Sequence, residues 1–262
     1  MENLDMKYFY NWFNNYVKSF YSNDEYVQQN IKLKEEHTKR VCFNAMMICK
    51  DINLSEEDEN IVELAALLHD IGRFEQFKVY RTFNDKVSEN HALLGIKIIK
   101  DEGVLEKLDL KVQNYIFRVI KHHNMFKIPD DAGDEKTILF SKIIRDSDKL
   151  DIYKVVTDYY KEAGDKKNTA IEHELPNTDG YSKELIDDIL NSKNSSHEYI
   201  RNRNDIRLIK LSWIFDINFN ISLKYIVEKG YIEKTLDCIP RNEEMSNIKI
   251  SLYKYINKRI NE

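Results

Sequence analysis

The stretch Leu64-Ala-Ala-Leu-Leu-His-Asp-Ile-Gly-Arg73 joins an apolar run to a histidine and a carboxylate. It predicts a buried helix that carries His69 and Asp70 and stops at Gly72, a residue suited to ending a helix. Two polar groups at a buried helix end are unfavourable unless something pairs with them. A divalent metal ion is the obvious partner, because imidazole and carboxylate together suit several first-row metals. Two neighbouring ligands cannot fill a coordination shell, so other parts of the chain must supply the rest.

Further candidate ligands occur at four places in the same part of the chain. They are Glu35-Glu36-His37-Thr38, Ser88-Glu-Asn-His91, Lys121-His122-His123 and Asp146-Ser-Asp148-Lys149-Leu150-Asp151. Each lies beside apolar residues at helical spacing, and Ser88 is expected to cap the helix that has His91 in its first turn. Helical proteins build metal sites in their cores from side chains on several helices, so we expect these groups to converge.

The order of these groups resembles the HD-domain superfamily of metal-dependent phosphohydrolases, over roughly residues 30 to 160. Leu-Leu-His-Asp-Ile-Gly-Arg and the later Asp-Lys-Leu-Asp carry the resemblance. It implies that His37, His69, Asp70 and Asp148 hold a first metal ion. It also implies an all-α fold, a single helical bundle of the HD-domain type with additional C-terminal helices.

The extra histidines resemble the dinuclear branch of that superfamily. The resemblance implies that His91 and His122 complete a second centre, with Asp70 as the bridge, since a carboxylate has two oxygens with lone pairs. His122 is preferred to His123 because paired histidines in the dinuclear relatives look similar. The Gly-Tyr-Pro signature of one phosphodiesterase branch is absent after His123, so that branch's substrate is not carried over. One or two ions are expected, and Fe, Mn, Ni, Co, Zn and Mg all stay open.

Other polar residues receive supporting roles in this hypothesis. Arg73, Arg81 and Lys149 are candidates for holding phosphate oxygens, because phosphoryl groups require fixed cations around them. Asp146 could orient a ligand histidine through its free N–H, or it could be a solvated helix carboxylate. A water shared by two cations would be the nucleophile, and the proton for the leaving group would come from His123 or a lysine.

Composition places the chain among ordinary helical globular proteins. Its 262 residues are 42% hydrophobic and 32% charged, with only 7 Gly and 3 Pro, which favours a mostly helical chain. A net charge of −5 indicates no overall basic surface for nucleic acid. Three cysteines without a Cys-x-x-Cys pair do not make a disulfide framework, and Cys42 and Cys49 are expected in the core. With neither a signal peptide nor a membrane span, a cytoplasmic location is expected.

The chain is predicted to have three parts. Residues 1–30 hold an aromatic amphipathic helix at 5–21, and 31–161 form the metal-binding core with helices near 32–52, 88–101, 105–126 and 135–161. Residues 162–262 supply a loop or lid, a short helix near 182–192 and further helices that complete the same domain. Residues 74–87 are expected to be a loop that lines the site, and His173 and His197 are expected at the surface.

The leading functional hypothesis is a phosphohydrolase that acts on a phosphomonoester or phosphodiester of a nucleotide or another small molecule. A mononuclear nucleotidase or dNTP phosphohydrolase, a non-catalytic nucleotide-binding regulator and a dinuclear-iron oxygenase are the alternatives. The expected partner is a small phosphorylated substrate, with no nucleic acid and no membrane. The substrate itself and the oligomeric state, including a homodimer, stay open.

Overall fold

The computed structural model describes residues 4–162 and 175–262, and within these ranges it contains helices and loops but no strand. The all-α prediction is therefore confirmed. The chain divides into two compact units, Met1–Asp151 and Ile152–Glu262. The division at residues 30 and 161, and the grouping of the C-terminal helices with the core, stay predictions.

Seven helices begin within the described residues of the first unit. They are α1 Met6–Lys18, α2 Glu25–Asp51, α3 Glu56–Leu68, α4 Gly72–Tyr80, α5 His91–Asp101, α6 Leu110–His123 and α7 Glu135–Glu162, whose last turns lie in the second unit. A short 3₁₀ helix covers Asp85–Val87. α2 packs against α3 and α4, α5 packs against α4 and α6, and α3 also contacts α1 and α6. This arrangement brings the predicted ligand groups into one bundle.

Local sequence explains where these helices start and what they bury. Ser55 caps α3, because its side chain accepts from the Asp58 N–H, and acidic residues fill the first turn. Phe9 and Phe13 of α1 are buried, and Phe13 and Phe20, which follows the helix, are both in ring contact with the buried Phe74. Cys42 and Cys49 are buried free thiols, as predicted.

Three sequence predictions between α3 and α5 are wrong. Gly72 does not end a helix but begins α4, so much of the expected loop at 74–87 is helical, with two of its phenylalanines fully buried. The glycine is needed for close approach: a Cβ at Gly72 would lie 2.2 Å from the carbonyl oxygen of His91 and 2.7 Å from the nitrogen of Gly95. The cap of α5 is Asn90 rather than Ser88, because the Asn90 side chain accepts from two backbone N–H groups of the first turn.

The described part of the second unit contains five further helices. They are α8 Lys183–Leu190, α9 Arg203–Ser212, α10 Asn220–Glu228, α11 Tyr231–Leu236 and α12 Glu243–Asn261, with 3₁₀ helices at His197–Tyr199 and Trp213–Asp216. α8 packs against α9 and α12, and α10 packs against α11 and α12. His197 is exposed, as predicted, while His173 lies outside the described residues. No helix in the described part of the chain combines the length and apolar composition that a membrane span requires.

Candidate metal centre

Helix ends and two long helices deliver the candidate ligands to the first unit's core. His69 directly follows the last residue of α3, His91 is the first residue of α5, and His123 is the last residue of α6. His37 lies within α2 and Asp148 within α7. The close contact between Gly72 and the start of α5 holds the His91 backbone beside the turn that carries Asp70. All four histidines are buried.

The two carboxylate oxygens of Asp70 face two different pairs of histidines. Oδ2 lies 3.5 Å from His37 Nε2 and 3.8 Å from His69 Nε2, which we name the first pair. Oδ1 lies 3.3 Å from His91 Nε2 and 3.7 Å from His123 Nε2, which we name the second pair. Among the described residues, the His37–His69–Asp70 and Asp70–His91–His123 groups both have ligand atoms close enough together to hold an ion.

Asp148 adds a second carboxylate to the first pair only. Its Oδ1 lies 3.1 Å from His37 Nε2 and 3.9 Å from His69 Nε2. The Nε2 atoms of the first pair therefore face two carboxylates, Asp70 and Asp148. The Nε2 atoms of the second pair face the Asp70 carboxylate, which both pairs share.

Hydrogen bonds at Nδ1 turn the Nε2 atom of every ring towards the centre. His69 Nδ1 contacts the Ala66 carbonyl oxygen at 2.7 Å, and His123 Nδ1 contacts the Ile120 carbonyl oxygen at 2.6 Å. A carbonyl oxygen can only accept, so both Nδ1 atoms donate and a lone pair is left on Nε2 of the neutral ring.

Carboxylates accept from Nδ1 of the other ring of each pair, His37 and His91. His37 Nδ1 contacts Asp151 Oδ2, and His91 Nδ1 contacts Asp85 Oδ2, both at 2.7 Å. Burial raises the pKa of Asp85 and of Asp151, but the histidine contacts together with Arg73 and Arg40 outweigh it, so both pKa values lie below the usual range and both carboxylates act as acceptors. Such contacts fix the tautomer and ring orientation of metal-binding histidines.

The Nε2 atoms need a cation at the centre. His37 Nε2 and His69 Nε2 are buried without a hydrogen-bond partner of acceptable geometry. His91 Nε2 and His123 Nε2 face each other at 2.9 Å, which is repulsive when both carry lone pairs. Two nitrogen ligands at about 2.1 Å from one ion and at right angles to each other would lie about 3 Å apart. The residues present therefore fit divalent metal ions.

The electrostatics favour a cation as well. Burial lowers the pKa of His69 to about 4 and that of His91 to about 3, so both rings are neutral and available as ligands. Burial also opposes charge on His37, but its contacts with Asp148 and Asp151 raise its pKa overall. The pKa of Asp70 is held well below its usual range by Lys34 and His69 despite burial, so the bridge is ionised.

The sequence-based preference for His122 over His123 as the candidate ligand does not agree with the structure. His123 faces the cluster, with ring contacts to His69 and His91. His122 is also buried, but its Nδ1 lies 3.2 Å from Ser141 Oγ. Successive residues of a helix point about 100° apart, so only one of the two can face the site. The preference for His122 is therefore corrected to His123.

The predicted phosphate-binding cations have different surroundings. The Arg73 side chain lies over the site, with Nε 3.5 Å from Asp70 Oδ1, but its Nη1 donates to Gln76, Asp85 and the Phe83 carbonyl. Arg81 is exposed, and its nearest acidic partner, Asp24, is 4.0 Å away, outside the cluster. Lys149 is buried on α7 directly after Asp148. Their roles towards substrate stay predictions.

Sequence reasoning missed the neighbours of the candidate ligands. Lys34 Nζ lies 2.8 Å from Asp70 Oδ2, and its position three residues before His37, on the same helix face, was the available signal. The Nδ1 atoms of the four clustered histidines contact Asp85, Asp151 and two backbone carbonyls. Asp146, for which the sequence left open an orienting role or a solvated position, is buried. Asp151 belongs to the quoted motif, whereas nothing near Asp85 in the sequence points to His91.

Comparison with known proteins agrees with this geometry. Residues 35–153 match the family model of the HD domain, a range that contains all of the clustered histidines and aspartates. This part of the chain is therefore an HD domain, the defining unit of a superfamily of metal-dependent phosphohydrolases. No curated protein and no solved structure gave a significant match.

Proposed function

We propose that this protein is a dinuclear metal-dependent phosphohydrolase that cleaves a phosphomonoester or phosphodiester of a nucleotide. The observation that carries the proposal is the placement of Asp70, whose two oxygens each face a separate pair of histidine Nε2 atoms. A carboxylate with one oxygen directed at each of two ligand groups is suited to bridging two ions. His37, His69 and Asp148 would hold one ion, and His91 and His123 the other.

Divalent ions bound there would supply an ionised water near neutral pH and neutralise charge on the phosphate. The chain's own residues orient the reactants around them. Lys34 Nζ lies 2.8 Å from Asp70 Oδ2, and Arg73 Nε lies 3.5 Å from Asp70 Oδ1. These fixed cations are placed to offset the charge of phosphate oxygens, which is the main requirement of phosphoryl transfer.

His123 is a weaker candidate for protonating the leaving group than the sequence suggested. Its Nδ1 contacts the Ile120 carbonyl and its Nε2 faces His91, so neither nitrogen is directed at a substrate. A lysine is the better source of the proton: Lys34 lies at the cluster with 16% of its side chain exposed, and Lys149 adjoins Asp148. The free buried thiols agree with a reducing, cytoplasmic setting for the proposed enzyme.

The test is hydrolysis by the purified full-length protein after its metal content has been measured. The chelator-treated protein is reloaded with Mn, Fe, Co, Ni, Zn or Mg and assayed on a phosphomonoester, a phosphodiester and a panel of nucleotides. We expect metal-dependent turnover of at least one substrate and its loss in His69→Ala, with most helicity retained. Turnover with one ion per chain would favour the mononuclear nucleotidase. Nucleotide binding without turnover in every metal-loaded form would contradict the proposal and favour a regulator.

A further inference from the structure

Asp85 connects the second pair to the segment between α4 and α5. Its Oδ2 contacts His91 Nδ1 at 2.7 Å and also accepts from Asn124 Nδ2 at 3.3 Å. Asn124 directly follows His123 in the chain. The Asp85 carboxylate therefore contacts both His91 and the residue next to His123, the other histidine of the second pair.

The opposite oxygen of Asp85 is fixed by two side chains of α4. Oδ1 accepts from Arg73 Nη1 at 2.8 Å and from Gln76 Nε2 at 2.9 Å. Gln76 is fully buried, and its amide also donates to Ser88 Oγ and the Glu89 carbonyl. The position of the carboxylate is therefore determined by partly buried hydrogen bonds, although 28% of its side chain is exposed.

The first pair has an orienting carboxylate of its own. Asp151 contacts His37 Nδ1 and is bound by both Nε and Nη2 of Arg40. None of these residues contacts Asp85 through the described hydrogen bonds. Each pair thus has a separate combination of carboxylate and arginine, with the Asp70 bridge in common.

We propose that Asp85 is a positioning residue that sets the metal affinity of the second pair and leaves that of the first pair unchanged. Removing its carboxylate frees the His91 ring to rotate and to change tautomer, while Asp151 keeps the His37 ring in place. Loss of such a hydrogen-bond partner weakens metal binding about 10- to 100-fold. The inference rests on the proposed function only in that divalent ions occupy the two pairs.

The experiment is a calorimetric titration of the chelator-treated, full-length protein with Mn²⁺. We expect two equivalents in the parent protein. In Asp85→Ala one equivalent keeps the parent affinity and the other is about 10- to 100-fold weaker. Asp85→Asn keeps an oxygen that can accept from His91 Nδ1 but turns its NH2 group towards the donors Arg73 and Gln76. It is therefore expected to lose less affinity than Asp85→Ala, and far-ultraviolet circular dichroism of the variants controls for misfolding.

A second background identifies which pair is affected. His91→Ala is expected to bind one equivalent, at the first pair. Adding Asp85→Ala to it leaves the affinity of that equivalent unchanged, whereas adding the matched control Asp151→Ala weakens it. The inference would be overturned if Asp85→Ala and Asp151→Ala weakened Mn²⁺ binding equally in the His91→Ala background. It would also be overturned if Asp85→Ala alone bound two equivalents with the parent affinity, or if the parent protein bound a single equivalent. Normal titrations with no hydrolysis of any phosphate ester would instead overturn the proposed function and leave the role of Asp85 intact.

Discussion

The Nε2 atoms of His91 and His123 lie 2.9 Å apart, although the Nδ1 atom of each ring already contacts an acceptor. A proton can be shared between two such nitrogens only if one ring becomes an imidazolium, and burial opposes that charge on His91. A divalent ion in contact with both lone pairs removes the repulsion without protonating a buried ring. This relationship makes His123 a candidate ligand for a divalent ion.

Separate replacement of His122 and His123 should show which of the two adjacent histidines binds metal. His123→Ala is expected to lose one of two metal equivalents and most hydrolytic activity, because its Nε2 faces the second pair. His122→Ala should keep both equivalents, since that ring contacts Ser141 instead. Elemental analysis after dialysis provides the measurement. Loss of metal from His122→Ala alone would contradict the assignment.

Gly72 should tolerate no side chain. In Gly72→Ala the new Cβ would lie 2.2 Å from the His91 carbonyl oxygen, so backbone must move. Overpacking of this kind typically lowers the free energy of unfolding by about 1–3 kcal/mol. We expect a loss of this size for Gly72→Ala, measured by unfolding in urea.

Gly95→Ala is the matched control on the other side of the same contact. Its Cβ would meet Ile71 Cγ2 and the Gly72 nitrogen at 3.2 and 3.3 Å, a tight approach that small shifts can relieve. Alanine also favours a helix over glycine by about 0.5–1 kcal/mol. We therefore expect a smaller change than for Gly72→Ala, and an equal or larger loss would argue against the close-approach explanation.

Lys210 should make stability depend on pH. Burial lowers the pKa of its ammonium group to about 7, Arg207 adds to the shift, and its Nζ has no hydrogen-bond partner among the described residues. An unfolded lysine has a pKa of about 10.4, so between these values the unfolded state binds more protons. The free energy of unfolding therefore rises with pH, by at most about 1.4 kcal/mol per unit from this group.

Lys210→Met removes this contribution. The variant should be more stable than the parent protein at pH 7 and below, and its advantage should shrink as the pH approaches 10. Urea unfolding of both proteins at pH 6, 7, 8 and 9 measures the difference. A difference that does not change with pH would show that Lys210 titrates alike in the folded and unfolded chains.

Metal should stabilise the folded protein. An ion that binds only the native state raises the free energy of unfolding by about 2.7 kcal/mol at 100 times its dissociation constant. Urea unfolding of the chelator-treated protein with and without Mn²⁺ should show a rise of this order. An unchanged midpoint at saturating Mn²⁺ would contradict metal binding at the buried cluster.

Features with a strong local or periodic signal were predictable from the sequence. Apolar spacing and few Gly and Pro indicate the helices, and Ser55 with its acidic neighbours marks the start of α3. The position of His37, His69, Asp70, His91 and Asp148 on predicted helices was enough to expect their convergence, which the structure bears out.

The failures come from features that depend on tertiary packing. Gly72 has the residue type of a helix end, but its role is set by α5, which is distant in sequence. The choice between His122 and His123 depends on the rotation of α6, which adjacency in sequence does not define. Asp85 orients His91 through a contact between a 3₁₀ helix and a helix start, and no periodic pattern records such a contact.

The central claim is that Asp70 bridges two metal ions, and metal content per chain in Asp70→Ala tests it most directly. Elemental analysis should give two equivalents of a divalent ion in the parent protein and neither in the variant, with the far-ultraviolet circular dichroism of both proteins alike. Full retention of both ions by Asp70→Ala would contradict the account.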